Sequence, residues 1–194
     1  WLTILNDDDL LDCSWLETIY AATQEHHDAT VVACGARYRD LKGKRLPKSL
    51  FRWVYDFLKM TGEKVLPGKI KHLDALDYFI SMPHNGSLGS LILKDAAIGI
   101  GGFDNYFYPS SDYVFFAKNA MFNKAILIPE TLVTYGVGDN NFSKPEVVYG
   151  AVKVNKQIQL ELIPFININK NILLKYIEIF AILSVSGVRS ASFS

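Results

Sequence analysis

Asp7, Asp8 and Asp9 stand in a row behind an apolar run, Trp1-Leu2-Thr3-Ile4-Leu5, and one amide, Asn6. Adjacent carboxylates repel one another, and the cluster is easier to keep charged with a cation among them. Ligands that are all oxygen suit a hard divalent ion, Mg²⁺ or Mn²⁺. The apolar run is too short for a helix and reads as a buried parallel strand. The carboxylates then lie at its C-terminal edge, where open α/β sheets bind ligands. The competing structural reading is that acids precede a helix because they favour its N-terminus. A second candidate is Asp112, behind Ser110 and Ser111, either of which can cap a helix running to about Phe122. A helix N-terminus stabilises the anionic form that a general base needs, although an Asp there is often only structural. Between the two lies Gly99-Ile100-Gly101-Gly102-Phe103-Asp104, a tight turn that lets a ligand approach the backbone closely. Its spacing is wrong for a dinucleotide fingerprint, and no long helix follows it directly.

The elements that must position these residues follow from periodicity. Ser14-Trp15-Leu16-Glu17 fits a capping box, and a helix is expected from Ser14 to Glu25 with Leu16, Ile19, Tyr20 and Thr23 on one face. Ala29 to Cys34 reads as a second buried strand. Gly35 to Lys48 is basic and turn-rich, a surface excursion. Ser49 to Met60 has helical spacing, and Thr61 to Leu73 is a lysine-bearing loop. Tyr78 to Met82 reads as a short strand, Pro83 to Ser87 as a polar turn, Leu88 to Leu93 as strand and Lys94 to Ile98 as a short helix. Ala125 to Ile128 and Thr131 to Tyr135 read as two strands around Pro129. Beyond a polar linker from Asp139 to Pro145, Glu146 to Leu162 and Asn169 to Leu183 read as helices, the second with an apolar stripe of Leu173, Tyr176, Ile177 and Phe180. The expected division is a unit over 1–138 and a helical extension over 139–194.

Composition narrows the class. The chain has 194 residues, 49% of them apolar, and a net charge of zero. It is long enough for a sizeable core, and no basic excess points to nucleic acid. Cys13 and Cys34 offer neither a disulfide framework nor metal-ligand spacing, which fits a reducing, cytoplasmic setting. No signal peptide is legible, and Lys175 and Glu178 interrupt the longest late apolar stretch. The chain opens directly inside its expected first strand. The expectation is therefore the C-terminal part of a larger protein, with strands upstream whose absence exposes a long sheet edge beside Ile4 and Val32.

The order is strand, Asn6-Asp7-Asp8-Asp9, helix, strand, then Gly101-Gly102-Phe103-Asp104, then Ser111-Asp112-Tyr113 on a helix. Over roughly Trp1 to Tyr135 this resembles the inverting, nucleotide-sugar-dependent glycosyltransferases of family two. The resemblance implies the A-type glycosyltransferase fold: an α/β three-layer sandwich with a mixed, mainly parallel sheet. It implies that Asp8, with Asp9 and Asp7, holds Mn²⁺ or Mg²⁺ on the donor diphosphate, that Asn6 and Asp7 contact the donor, and that Asp112 is the catalytic base. The turn at Gly101, Gly102, Phe103 and Asp104 would line the acceptor side, with His84 and Asn85 from the polar turn.

Several positions depart from the family's pattern. Asn6 replaces the usual first acid, and Ser111 stands where an acidic neighbour of the base is usual. Tyr135-Gly136-Val137-Gly138-Asp139 occupies a segment where many relatives carry Arg and His. The family's N-terminal nucleotide-binding half has no counterpart in these residues, so they alone are expected to bind a nucleotide poorly.

The implied partners are a nucleotide-diphosphate sugar and a carbohydrate or lipid-linked acceptor, as in polysaccharide or cell-envelope synthesis. The C-terminal helices would pack on the catalytic unit or a partner subunit, or make a shallow membrane contact on the cytoplasmic face. Two other classes share the acidic strand end: a sugar nucleotidyltransferase, and a binding module without catalysis.

Overall fold

The computed structural model describes residues 1–5, 9–40, 69–80, 89–137 and 145–191. In chain order its elements are β1 (Leu10–Leu11), α1 (Trp15–Glu25), β2 (Val31–Asp40), β3 (Lys71–Leu73), α2 (Ala75–Ile80), β4 (Leu91–Ile92), α3 (Lys94–Gly99), α4 (Ser111–Phe122), β5 (Ala125–Val137), α5 (Pro145–Leu162) and α6 (Lys170–Ala191). Single 3₁₀ turns lie at Asn105–Phe107 and Ile163–Phe165.

The sheet is built on one long parallel pair. β2 and β5 run side by side from Val31↔Ala125 to Asp40↔Val137. β4 is antiparallel to β2, while β1 and β3 are antiparallel to opposite ends of β5. Successive strand residues point to opposite faces. Val31 and Ala125 join the core under α2, α4, α5 and α6, with Phe79, Phe116, Ile158 and Ile177. Val32, Ile126, Ile128 and Val133 join Trp15 and Ile19 of α1 on the other face. The result is a three-layer α/β sandwich around a mixed sheet, the fold class expected from the sequence.

α2 ties this core together. Its last three carbonyls have no partner within the helix, and each accepts a hydrogen bond from a different helix. Tyr113 Oη of α4 donates to the carbonyl of Tyr78 (2.7 Å), Gln159 Nε2 of α5 to that of Phe79 (2.8 Å) and Tyr176 Oη of α6 to that of Ile80 (2.6 Å). The C-terminal helices therefore share both a core and a polar contact with the elements that precede them.

Several expectations change. Residues 1–5 form no buried parallel strand. Leu2 makes an isolated antiparallel bridge to Ile92 at the sheet edge, and Trp1, Leu2 and Leu5 stay exposed. The strand holding Val32 is paired on both sides, by β4 and β5. Tyr78 lies in a helix, because Asp74 and Asp77 form a capping box: Asp74 Oδ1 accepts from the N–H groups of Leu76 (2.9 Å) and Asp77 (3.1 Å), and Asp77 Oδ2 accepts from the N–H of Asp74 (3.1 Å). Ser14 makes no such cap; its hydroxyl donates to Asp12 Oδ1 (2.9 Å). α1 rotates accordingly, burying Trp15, Ile19, Ala22 and Thr23 and leaving Leu16 63% and Tyr20 51% exposed. β2 continues through Gly35 into the expected surface excursion, β3 forms within the expected loop, and the expected strand at Leu88 to Leu93 shortens to β4. The expected helix from Ser49 to Met60 lies outside the described residues.

Tyr176→Phe keeps the ring and removes the donor to Ile80. The expected loss is about 1–3 kcal/mol, the cost of a buried acceptor left without its partner. Urea unfolding should show a lower midpoint at an unchanged slope; an unchanged midpoint would mean that water replaces the hydroxyl.

Candidate functional site

The glycine turn closes α3. The N–H of Gly101 donates to the carbonyl of Ile98 and that of Gly102 to Ala97, both at 2.9 Å. These two bonds are a Schellman motif, which needs a left-handed residue past the helix end. Gly101 (φ 89°) and Gly102 (φ 67°) supply it. Among the described residues, a Cβ on either would meet nothing within 4 Å. Backbone conformation, rather than crowding by the described residues, thus demands glycine, and those residues leave the space over the turn open.

The next two residues are held from below. Phe103 stacks on Phe115 of α4, ring centroids 4.4 Å apart and planes 17° apart. The Asp104 carboxylate accepts from the N–H of Tyr106 (2.9 Å), capping the 3₁₀ turn. The Ser111 hydroxyl donates to the Asp104 carbonyl (2.9 Å). The turn is thereby fastened to the start of α4, and Asp112 is the next residue along.

Asp112 is half-buried. Its Oδ1 accepts from the N–H of Tyr113 (2.8 Å). Burial pushes its carboxyl above the usual carboxylate range, while the N–H groups of Tyr113 and of Asp112 itself pull the other way. The sequence-based expectation weighed only the helix N-terminus; desolvation outweighs it. A carboxylate with a raised pKa is a stronger proton acceptor, which suits a general base.

The structure thus fastens Phe103 and Asp104 of the glycine turn to α4, the helix that carries Asp112, through Phe115 and Ser111. Of the acidic cluster, Asp9 is described: it is buried, directly before β1, whose partners Val133 and Thr134 lie toward the end of β5. Asn6, Asp7 and Asp8 lie outside the described residues, as do His84 and Asn85. Among the described residues no group of three His, Cys, Asp or Glu side chains could hold a metal ion. Also among the described residues, no helix is long and apolar enough to cross a membrane. Sequence reasoning missed Ser111 and Tyr113 as contacts of the site. Neither bond has a periodic signal, since both acceptors are backbone carbonyls remote in sequence.

No protein-family model matches the chain, and no curated protein matches it. Among solved structures, it is similar to the crystal structure of S. aureus TarS 1-349, over 90% of this chain and 44% of that one, with a TM-score of 0.48 and 14% identity. A second, S. aureus TarS 1-349 in complex with UDP, covers 82% of this chain and 44% of that one, with a TM-score of 0.45 and 15% identity. A third, S. aureus TarS, covers 80% of this chain and 26% of that one, with a TM-score of 0.42 and 14% identity. The chain spans less than half the length of each of these structures.

The burial of Asp112 makes a prediction about stability. Its pKa is raised in the folded chain, so the group favours folding below its ordinary value of 3.8, and that contribution is lost as pH rises through the folded value. Asp112→Asn is neutral throughout. It should melt above wild type at neutral pH, with the gain shrinking as pH falls toward 3.8. A variant that melts no higher at neutral pH would show that the carboxylate is not penalised by burial.

Proposed function

We propose that this chain carries the acceptor side and the catalytic base of a glycosyltransferase that uses a nucleotide-diphosphate sugar. The observation that carries the reading is Asp112: a half-buried carboxylate with a raised pKa, fastened beside a glycine turn above which the described residues leave open space. An acceptor hydroxyl is a weak acid and needs its proton removed as it attacks the anomeric carbon. Asp112 accepts that proton at its carboxylate. Attack from the side opposite the leaving diphosphate inverts the anomeric configuration. Gly101, Gly102 and Phe103 form the acceptor-side wall, and His84 and Asn85 would complete it. The acceptor is a carbohydrate or a lipid-linked saccharide, and the reaction takes place on the cytoplasmic side.

Asp7, Asp8 and Asp9 are the residues that would hold Mg²⁺ or Mn²⁺, since their donors are all oxygens of the hard type. Of these, Asp9 is described and is a buried carboxylate directly before β1. When bound, such an ion offsets the charge that develops on the departing diphosphate.

The test uses the full-length protein with Mn²⁺ and a panel of nucleotide sugars, beginning with UDP-sugars. Asp112→Asn should lower turnover by about 10²–10⁴-fold, the usual contribution of a general base, with donor affinity unchanged. Asp8→Asn should abolish metal-dependent donor binding in calorimetry while the fold stays intact. An Asp112→Asn protein that keeps more than about a tenth of wild-type turnover would remove Asp112 as the base.

A further inference from the structure

The orientation of Asp112 has an unusual source. Its described partners are backbone N–H groups, those of Tyr113 and of Asp112 itself. The carboxylate therefore points where the first turn of α4 points. First turns are commonly fixed by an N-cap side chain, but Ser110 makes no side-chain cap bond here. Two other hydroxyls hold the turn. Ser111 Oγ donates to the Asp104 carbonyl of the glycine turn (2.9 Å), and Tyr113 Oη to the Tyr78 carbonyl of α2 (2.7 Å). These residues flank Asp112 in the chain, and their acceptors belong to two separate segments.

We propose that Ser111 and Tyr113 are positioning residues for Asp112, their hydroxyls tethering the first turn of α4 to two backbone carbonyls and so fixing the carboxylate. The two tethers add to the bond from the Ser110 N–H to the Phe107 carbonyl (2.8 Å) and to the burial of Val114 and Phe115. The Ser111 tether also couples the base to the turn that forms the acceptor-side wall, so the two halves of the site keep one relative placement. The catalytic meaning of this rests on the reading of Asp112 as a base; the tethering of the turn does not.

The experiment compares Ser111→Ala, Ser111→Thr and Tyr113→Phe with wild type in the full-length protein. Where transfer is measurable, Ser111→Ala and Tyr113→Phe should each lower kcat about tenfold, within the range that a small misplacement costs. The KM for donor should stay unchanged, and Ser111→Thr, which keeps a hydroxyl, should restore kcat. A folded Ser111→Ala protein with wild-type kcat overturns the proposal, as does a Ser111→Thr protein as slow as Ser111→Ala. Tyr113 is buried, and if its variant does not fold, the Ser111 pair decides. Hydrogen exchange of the Tyr113 amide is read in parallel and should be faster in Ser111→Ala. If wild type transfers no sugar from any donor, the glycosyltransferase reading falls by itself. The exchange rate then decides the tether, and an unchanged rate overturns it.

Discussion

The end of a short helix holds this molecule together. A six-residue helix cannot satisfy its own last carbonyls, and inside a core an unsatisfied carbonyl costs free energy comparable to a lost hydrogen bond. α2 (Ala75–Ile80) meets that constraint by recruiting one side chain from each of α4, α5 and α6. The three helices are then placed relative to one another by what they share, as well as by apolar packing. Burial alone is tolerant of sliding. Three directed bonds onto three consecutive carbonyls are not, because a helix that slid by one residue would leave its carbonyl bare.

The site inherits that rigidity through Tyr113, and it also carries a penalty. A carboxylate half-removed from water is less stable in its charged form, and no cation is among the described partners of Asp112 to offset this. A purely structural acid in the first turn of a helix would gain from the helix dipole while remaining solvated. Here desolvation exceeds the gain, so the folded chain spends stability on this group. That penalty is one of the observations on which the proposed role of Asp112 rests.

Elements with a long, regular pattern were legible in the sequence. The existence of α1 and α5 and the core positions of β2 and β5 follow from apolar spacing, and α4 from its serine-rich start, although the buried face of α1 differs from the one read; the glycine turn and Asp112 stand where they were read. What the sequence concealed has physical reasons. The run Ala75 to Ile80 is too short for periodicity to separate strand from helix, and the signal that decides it is the pair Asp74 and Asp77. The run at residues 1–5 is apolar enough for a buried strand but makes an edge bridge at Leu2 and one further backbone bond, from the Gly89 N–H to the Ile4 carbonyl. The tethers on Asp112 and the bonds onto α2 end on backbone carbonyls, which every residue has, so no residue type announces them. The pKa of Asp112 was misjudged because the helix N-terminus can be inferred locally, whereas desolvation depends on what packs around it.

One irregularity in the sheet reaches further than its size. Between Ala33↔Leu127 and Gly35↔Thr131, β5 contains two residues more than β2, with Pro129 in the excess, and one more, Leu132, follows before Ala36↔Val133. There the strands come so close that a Cβ on Gly35 would stand 2.9 Å from Thr131 Oγ1 and 3.1 Å from the Glu130 carbonyl. A shift of one residue would bring Cys34 or Ala36 to the narrow point. A shift of two keeps the faces but brings Ala33 or Arg37 to the narrow point, where neither fits. Both faces of the pair are apolar, so hydrophobic alternation cannot choose the register, and the narrow point can. The parallel pair thus works like a key with a single notch, cut where glycine stands.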